Sequence, residues 1–197
     1  QPQARILIIC AESCTLHFRK TAEADDLLST VLFGDGAAAL IVAPDALHLP
    51  YSLDWVAQHA TLVHAPDEMS WQLNDKGFEM KLSQEVPLYL EKHIAGAYRS
   101  LMEKSKGKKP DYYAIHPGGK NILKAFQRAM ELSDDQIRHS YKVLRDFGNM
   151  SSPTVLFVLD EIQRDFLADK SLTEAWVFSA AFGPGLTIET ALLKLSK

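Results

Sequence analysis

The sequence predicts an α/β fold, because short apolar runs typical of buried strands alternate with longer helical segments. Residues 112–115 form a compact aromatic and apolar run, and a Pro-Gly-Gly loop and a helical pattern over residues 121–132 follow it. Near the end of the chain, residues 175–182 and 186–193 read as two strands joined by a Gly-Pro-Gly turn, which predicts an antiparallel hairpin.

Composition excludes several classes of protein. The 197 residues are 47% hydrophobic and 23% charged, with a net charge of −4 spread along the chain, which is ordinary for a globular protein and argues against a nucleic-acid surface. No apolar run approaches the roughly 20 residues of a membrane span. No signal peptide is visible, and two cysteines close together favour a reducing compartment. We therefore expect a cytoplasmic protein that binds neither nucleic acid nor membrane.

The first part of the chain predicts two buried strands. Residues 5–11 form a continuous apolar run that indicates a strand buried on both faces, and residues 32–42 begin with a Gly-Asp-Gly turn and end as a second such strand. A doubly buried strand needs neighbours that nothing upstream supplies. The sequence therefore predicts a fragment, or a chain that pairs with another.

The middle of the chain predicts strands followed by helices. Residues 43–50 carry two prolines and read as a linker, residues 52–58, 60–64 and 78–82 as strands, and residues 86–104 as a helix with one apolar face. The basic run at 104–110 is interpreted as a solvated helix end. Ser133 and Gln136 have capping-box spacing and predict the start of a helix that reaches residue 147.

Two side chains on constrained turns are the candidates for chemistry. His116 ends the predicted strand 112–115 before a glycine-rich loop, at the sheet edge where α/β proteins carry their sites. Asn149 follows Gly148 at the mouth of an apolar helix, where an amide can donate a hydrogen bond to an oxyanion. A lone His or a helix-capping Asn is more often structural. Together they predict a catalytic pair.

The cysteines give a weaker signal. Cys10, Cys14 and His17 have a spacing compatible with a metal site, but a structural zinc ion needs four ligands and the sequence offers no second Cys/His pair. We expect no bound metal. Nothing around Cys14 indicates an activated thiol, so a small buried side chain is the simpler interpretation.

Four stretches carry a resemblance to a known family. They read Leu-Phe-Gly-Asp-Gly-Ala-Ala-Ala-Leu-Ile-Val at 32–42, Ile-His-Pro-Gly-Gly at 115–119, Gly-Asn-Met-Ser-Ser at 148–152 and Phe-Gly-Pro-Gly-Leu-Thr-Ile-Glu-Thr at 182–190. In this order and spacing, the chain resembles the C-terminal portion of type III polyketide synthases, the chalcone and stilbene synthase-like enzymes of the thiolase superfamily. The run Cys-Thr-Leu-His-Phe at 14–18 looks more like bacterial members.

The resemblance implies a thiolase-like fold. Residues 1–45 are then the end of an incomplete N-terminal half, and residues 46–197 are a complete C-terminal βαβ half. It also implies an acyltransferase that extends an acyl-CoA starter by decarboxylative condensation with malonyl-CoA and cyclises the product. We expect CoA thioesters as substrates, no permanently bound cofactor, and a homodimer when the protein is complete.

The resemblance also assigns roles to residues. His116 and Asn149 bind the enolate oxygen formed by decarboxylation, and the nucleophilic Cys is expected upstream of Gln1, in the N-terminal half. Gly118 and Gly119 are implied to bind CoA. The implied substrate-binding residues are the gating Phe33 and Phe78, the cavity-lining Cys14 and His17, and Ser151, Phe182, Gly183, Pro184 and Gly185. Ala181 replaces the usual Gly before the last loop.

Two alternatives remain. The chain could be a non-catalytic thiolase-fold partner subunit, although the intact motifs around His116, Asn149 and Phe33 argue against decay. It could also be a condensing enzyme like ketoacyl synthase III, which the Pro-Gly-Gly and Asn-Met-Ser-Ser motifs disfavour.

Overall fold

A computed structural model describes residues 4–17, 31–44, 52–75, 77–105 and 108–197; at residues 17, 71–74 and 77–81 only the backbone is described. The elements in chain order are β1 (Ile6–Glu12), a short 3-10 helix (Cys14–His17), β2 (Gly36–Val42), β3 (Ser52–Leu62), β4 (Met69–Asn74), β5 (Gly77–Leu82), α1 (Val86–Lys104), β6 (Tyr112–Ile115), α2 (Lys120–Met130), α3 (Arg138–Phe147), α4 (Thr154–Ala168), β7 (Glu174–Gly183) and β8 (Thr187–Ser196). The predicted linker at 43–50 lies mostly outside the described residues.

The largest sheet has four strands in the order β3-β8-β7-β6. Strands β7 and β8 form the predicted antiparallel hairpin, and β6 lies parallel to β7. Successive residues of β7 serve opposite faces, as the two-residue period of a strand requires. Phe178 packs in one hydrophobic cluster with residues of α1 and α2, whereas Val177 packs in the other with residues of α4. The sheet is therefore the middle layer between helices, which confirms the α/β class.

The strands of the first part exist, but their predicted burial is wrong. Strands β1 and β2 pair antiparallel with each other. Leu7, Ile9 and Ile41 are nevertheless 60%, 67% and 59% exposed. A two-stranded sheet buries little surface by itself. An apolar run indicates that a strand is suited to burial, but it does not show which other element covers that strand.

Two predictions in the middle of the chain are corrected. The expected strands at 52–58 and 60–64 are one strand, β3, in which the register shifts between Trp55 and Ala57. A β-bulge of this kind disturbs the alternation of side chains within residues 52–58, so the two-residue period does not run evenly along β3. Strand β4 was not predicted, although its sequence Met-Ser-Trp-Gln-Leu-Asn alternates apolar and polar residues. It pairs with the predicted β5.

The helices agree with their patterns. Helix α1 has the predicted bounds, and its apolar face buries Leu90, Ile94 and Leu101. Ser133 and Gln136 make the reciprocal bonds of a capping box, since Ser133 N–H donates to Gln136 Oε1 over 2.9 Å and Gln136 N–H donates to Ser133 Oγ over 3.4 Å. The predicted helix start there is nevertheless wrong, because these bonds close a turn at 134–137, and α3 begins at Arg138 without a side-chain cap. Among the described residues, no helix is both long enough and apolar enough to cross a membrane.

Candidate active site

His116 follows β6 directly and continues its pairing with β7. The backbone N–H of His116 donates to the carbonyl oxygen of Ala180 over 2.8 Å. The side chain is 8% exposed, and burial lowers the pKa of His116 to about 4. In this environment the imidazole is neutral at pH 7, so that one ring nitrogen carries a hydrogen to donate.

An aromatic ring from the hairpin fixes the imidazole. Phe182, at the end of β7, meets the His116 ring edge to face, with centroids 5.1 Å apart and planes at 79°. A Cβ on Gly118 would lie only 2.8 Å from two ring carbons of Phe182. A side chain at 118 would therefore force the Phe182 ring to shift from this position. Gly118 N–H in turn donates to the carbonyl oxygen of His116 over 2.9 Å.

The loop that carries Asn149 is held by the segment before β2. Asn149 N–H donates to the carbonyl oxygen of Leu32, and Gly34 N–H donates to that of Asn149, both over 2.9 Å. These bonds make a parallel bridge between Phe33 and Asn149. Gly148 has φ +73°, a left-handed conformation that favours glycine. The tight turn predicted at Gly148 is thus present, with a backbone clamp that had no sequence signal.

The Asn149 side chain has a defined orientation and is 4% exposed. Its Oδ1 accepts from Ser151 N–H over 2.9 Å, and its Nδ2 donates to the carbonyl oxygen of Gly118 over 3.3 Å. An amide nitrogen carries two hydrogens, and the bond to Gly118 uses one of them. The structure therefore brings the two candidates together, because Gly118 belongs to the loop that begins at His116.

Two residues that sequence reasoning missed complete this region. Glu12, the last residue of β1, accepts from Ser152 Oγ over 2.5 Å and lies 3.4 Å from Ser152 N. Thr154, the first residue of α4, is fully buried and bonds to the backbone of Met150 and Ser151. A carboxylate near the start of a helix is favourable. No local sequence pattern predicts that Glu12 occupies this position.

The side chain of one implied gating residue, Phe33, is described, whereas only the backbone of the other, Phe78, is described. Phe33 is half-buried, and its backbone lies against Asn149. Leu32 beside it fills the space next to Gly119, where an added Cβ would lie 3.4 Å from a Leu32 methyl group. Phe78 lies in β5 opposite Leu73, and only its backbone is described.

The hairpin turn is hydrogen-bonded to a neighbouring strand. Gly183 pairs with Thr187, Pro184 is exposed, and Gly185 has φ +85°. Gly185 N–H donates to the carbonyl oxygen of Met69 over 3.2 Å, so the turn is tied to β4. Of the four residues predicted here, Phe182 has an aromatic contact with His116.

The segment with Cys14 and His17 forms the 3-10 helix. Its hydrogen bonds run to Asp35, which accepts from Thr15 N–H over 2.8 Å and from Thr15 Oγ1 over 2.7 Å. Burial raises the pKa of the Cys14 thiol, and the charges of Glu12 and Asp35 raise it further. Within the described part of the chain, no group of three or more His, Cys, Asp or Glu side chains could hold a metal ion.

This arrangement places two potential hydrogen-bond donors in one buried region. A buried neutral imidazole and a buried, oriented amide lie on loops that a hydrogen bond joins. Fixed donors in a water-poor site stabilise developing negative charge much better than donors in water.

Comparison with known proteins gives the family. The model of the chalcone and stilbene synthase C-terminal domain matches residues 55–196, and that of the N-terminal domain matches residues 1–46. Type III polyketide synthase 21 of Oryza sativa subsp. japonica is 33% identical over 200 residues, and type III polyketide synthase A of Arabidopsis thaliana is 30% identical over 201. Each match covers 98% of this chain and 51% of the relative. The chain thus spans about half the length of these two relatives.

Solved structures agree with this match. The C-terminal type III polyketide synthase domain of 'Steely1' from Dictyostelium superposes with a TM-score of 0.89 at 29% identity, covering all of this chain and 55% of that one. PKS-I of the brown alga Ectocarpus siliculosus superposes with a TM-score of 0.86 at 30% identity, covering 98% and 53%. The chain therefore belongs to the chalcone and stilbene synthase family, and its fold is the thiolase-like fold of type III polyketide synthases.

Proposed function

We propose that this chain forms the oxyanion-binding part of a type III polyketide synthase that joins an acyl-CoA starter to malonyl-CoA. The observation that carries the proposal is the hydrogen bond from Asn149 Nδ2 to the carbonyl oxygen of Gly118. It joins the amide to the loop that begins at His116. The names of the plant relatives support the same class of reaction.

The proposed first step is decarboxylation of the malonyl thioester. The bond between the carboxylate carbon and the central carbon breaks, carbon dioxide leaves, and the electron pair delocalises onto the thioester oxygen. That oxygen becomes negative only as the bond breaks. A ring N–H of His116 and the second amide N–H of Asn149 therefore stabilise the transition state more than the bound substrate.

The proposed second step is condensation. The central carbon of the enolate attacks the carbonyl carbon of an acyl group held as a thioester on a cysteine. A carbon–carbon bond forms, the carbon–sulfur bond breaks, and its electron pair leaves with the thiolate. Repetition and ring closure give the cyclised product.

We place the nucleophilic cysteine outside residues 1–197, in an N-terminal half. A thiolate attacks, whereas the raised pKa of Cys14 keeps that residue a thiol. Cys10 lies within β1, opposite Ala38. A thiolate brought to His116 would stabilise the imidazolium, raise the pKa of His116 above its buried value and lower its own. The histidine then assists acyl loading as well as decarboxylation.

We also propose substrate contacts around this pair. Phe33 and Phe78 gate the entry of the starter, and Gly118 and Gly119 lie along the CoA moiety. Phe182 has the strongest support among the cavity residues, since its ring contacts His116. The other proposed cavity residues are Cys14, His17, Ser151, Gly183, Pro184 and Gly185.

The test is product formation by the full-length protein. It is incubated with malonyl-CoA and a panel of acyl-CoA starters, and products are identified by mass while carbon dioxide release is followed. Polyketide products extended by several ketide units are expected. Folded protein that releases no carbon dioxide would favour the non-catalytic partner, and a single extension would favour chemistry like that of ketoacyl synthase III. Sedimentation of the same sample tests the homodimer.

A further inference from the structure

We propose that two buried hydroxyl groups are positioning residues, Thr154 for the amide of Asn149 and Ser140 for the ring of His116. The inference rests on the proposed function, because both hydroxyls act through the two oxyanion donors. Thr154 begins α4, and Ser140 lies in α3, the helix that precedes the Asn149 loop. Both residues are fully buried.

The Thr154 hydroxyl holds the backbone on both sides of the peptide group that orients Asn149. Its oxygen accepts from Met150 N–H over 2.9 Å, and its hydrogen is donated to the carbonyl oxygen of Ser151 over 2.7 Å. Between these two contacts lies Ser151 N–H, which donates to Asn149 Oδ1 over 2.9 Å. Asn149 Oδ1 is 3.5 Å from Thr154 Oγ1, so the shorter bond to Ser151 takes the single hydroxyl hydrogen.

The loop needs this support because its backbone is strained. Ser151 has φ +60°, a left-handed conformation that is unfavourable for a residue with a Cβ atom. Such conformations persist where surrounding contacts determine them and are frequent at functional sites. Without the Thr154 hydroxyl, Met150 N–H is buried without an acceptor and Ser151 loses its restraint. The amide of Asn149 then loses the N–H that orients it.

Ser140 supports the other donor through the backbone of β6. Its Oγ accepts from Ile115 N–H over 3.2 Å, and both groups are buried. Among the strands the structure describes, β6 lies at the edge of the main sheet and pairs with β7 alone. The N–H of His116 donates to the carbonyl oxygen of Ala180 in β7, whereas the N–H of the preceding Ile115 donates to Ser140 in α3. Ser140 therefore holds the outer side of the strand one residue before the histidine.

The two hydroxyls predict two different defects. Asn149 serves decarboxylation, whereas His116 serves decarboxylation and acyl loading. Removing the hydroxyl at 154 should therefore slow carbon dioxide release and spare loading, and removing that at 140 should slow both. A misplacement of about 1 Å in a catalytic group can reduce turnover on the order of a hundredfold.

The experiment uses the full-length protein with Thr154→Val, Thr154→Ser, Ser140→Ala and a control, Thr190→Val. Thr190 is a matched control because its hydroxyl is also buried and donates to a backbone oxygen, that of His59, over 2.9 Å. Acyl loading is measured by mass after a pulse of starter acyl-CoA, and carbon dioxide release is measured with malonyl-CoA. We expect Thr154→Val to lower kcat for carbon dioxide release about tenfold or more, with loading within about threefold. Thr154→Ser should restore release, and Thr190→Val should change neither step.

A double-mutant cycle separates positioning from general destabilisation. In an Asn149→Ala background, Thr154→Val should cause little further loss of carbon dioxide release, because the group it positions is gone. If Thr154→Val does not fold, Thr154→Cys replaces it, since a thiol is a much weaker hydrogen-bonding group. Unmodified protein that releases no carbon dioxide would refute the proposed function. Active unmodified protein whose release is unchanged by Thr154→Val, or reduced equally in both backgrounds, would overturn the positioning role.

Discussion

The side-chain amide of Asn149 donates a hydrogen bond to the carbonyl oxygen of Gly118, over 3.3 Å, and so joins the two loops that carry the proposed oxyanion donors. The bond also separates the roles of the two donors. Asn149 contacts the backbone of Gly118, whereas His116 lies in the Gly118 loop itself. In the proposed function, only His116 is also a partner of the nucleophile.

The first prediction separates His116 from Asn149 in the full-length protein. Asn149→Ala should reduce decarboxylation of malonyl-CoA to a small residual rate and leave acyl loading largely intact, since it removes one oxyanion donor. Losing such a donor costs about 3–4 kcal/mol in comparable sites. His116→Ala should impair both steps, and His116→Gln should keep some decarboxylation while loading drops. If Asn149→Ala blocked loading as severely as His116→Ala, Asn149 would be a structural cap.

The second prediction concerns the contact between Gly118 and Phe182. Gly118→Ala should reduce turnover, because the new methyl group would lie 2.8 Å from the Phe182 ring and displace it from His116. Combining it with Phe182→Leu, which removes those ring atoms, should recover stability but not full activity. Thermal unfolding and kcat are measured for both single variants and the double variant. Strictly additive losses of stability would contradict the proposed clash.

The third prediction concerns the cysteines. Residues 1–197 alone should catalyse no condensation and be poorly soluble, because β1 and β2 expose large apolar side chains. In the full-length protein, Cys14→Ser should leave acyl loading largely intact, since the raised pKa of Cys14 opposes thiolate formation. Mass-detected acyl-enzyme is the measurement. Turnover by residues 1–197, lost in Cys14→Ser, would make Cys14 the nucleophile.

The fourth prediction concerns Phe33. Phe33→Ala should broaden the choice of starter more than it destabilises the protein, because its side chain is half-buried while its backbone bridge to Asn149 does not need the ring. The measurement is kcat/KM for small and bulky acyl-CoA starters, with thermal unfolding alongside. Unaltered selectivity, or an unfolded variant, would contradict gating.

The fifth prediction follows from the low pKa of His116, about 4 in the folded chain against about 6.5 when unfolded. The unfolded state binds the proton more readily, so the free energy of unfolding should fall as pH decreases from about 6.5 to about 4. The loss approaches 2–3 kcal/mol, about the value that the two pKa values imply. The free energy of unfolding is measured with urea at pH 6.5 and at pH 4, for the full-length protein and for His116→Gln. Both proteins are alkylated first, so that no cysteine thiolate affects the pKa of His116. Equal acid sensitivity of the two proteins would contradict a buried neutral His116.

Local signals predicted most of the fold. The turn at Gly148, the helix bounds of α1 and the β7–β8 hairpin follow from residues that are neighbours in sequence, and the structure contains all three. Burial of β1 was predicted wrongly, because burial depends on layers that the run itself does not specify. The six-residue strand β4 alternates apolar and polar residues and was nevertheless not predicted.

For the candidate site too, the sequence predicted some features and could not predict others. His116 and Asn149 could be proposed from their turns and from family motifs, but their connection through Gly118 needed the three-dimensional arrangement. Thr154 reads as an ordinary early helix residue, and Ser140 as a polar residue within an amphipathic helix. The proposed roles of Thr154 and Ser140 depend on which buried backbone groups need a side chain as their hydrogen-bond partner. The sequence alone does not identify those groups.

The contact between Glu12 and Ser152 spans 140 positions of the chain. Because the N-terminal part of a chain leaves the ribosome first, the contact between Glu12 and Ser152 cannot form until Ser152 has been synthesised. Distant contacts form late in folding, since closing a long loop costs entropy before the contact stabilises anything. The helices and the last hairpin can form from nearby residues, whereas the contact of Glu12 with the Asn149 loop joins segments that are far apart in sequence. The attachment of β1 to the Asn149 loop is therefore expected late in biosynthesis, after the helices and the last hairpin have formed.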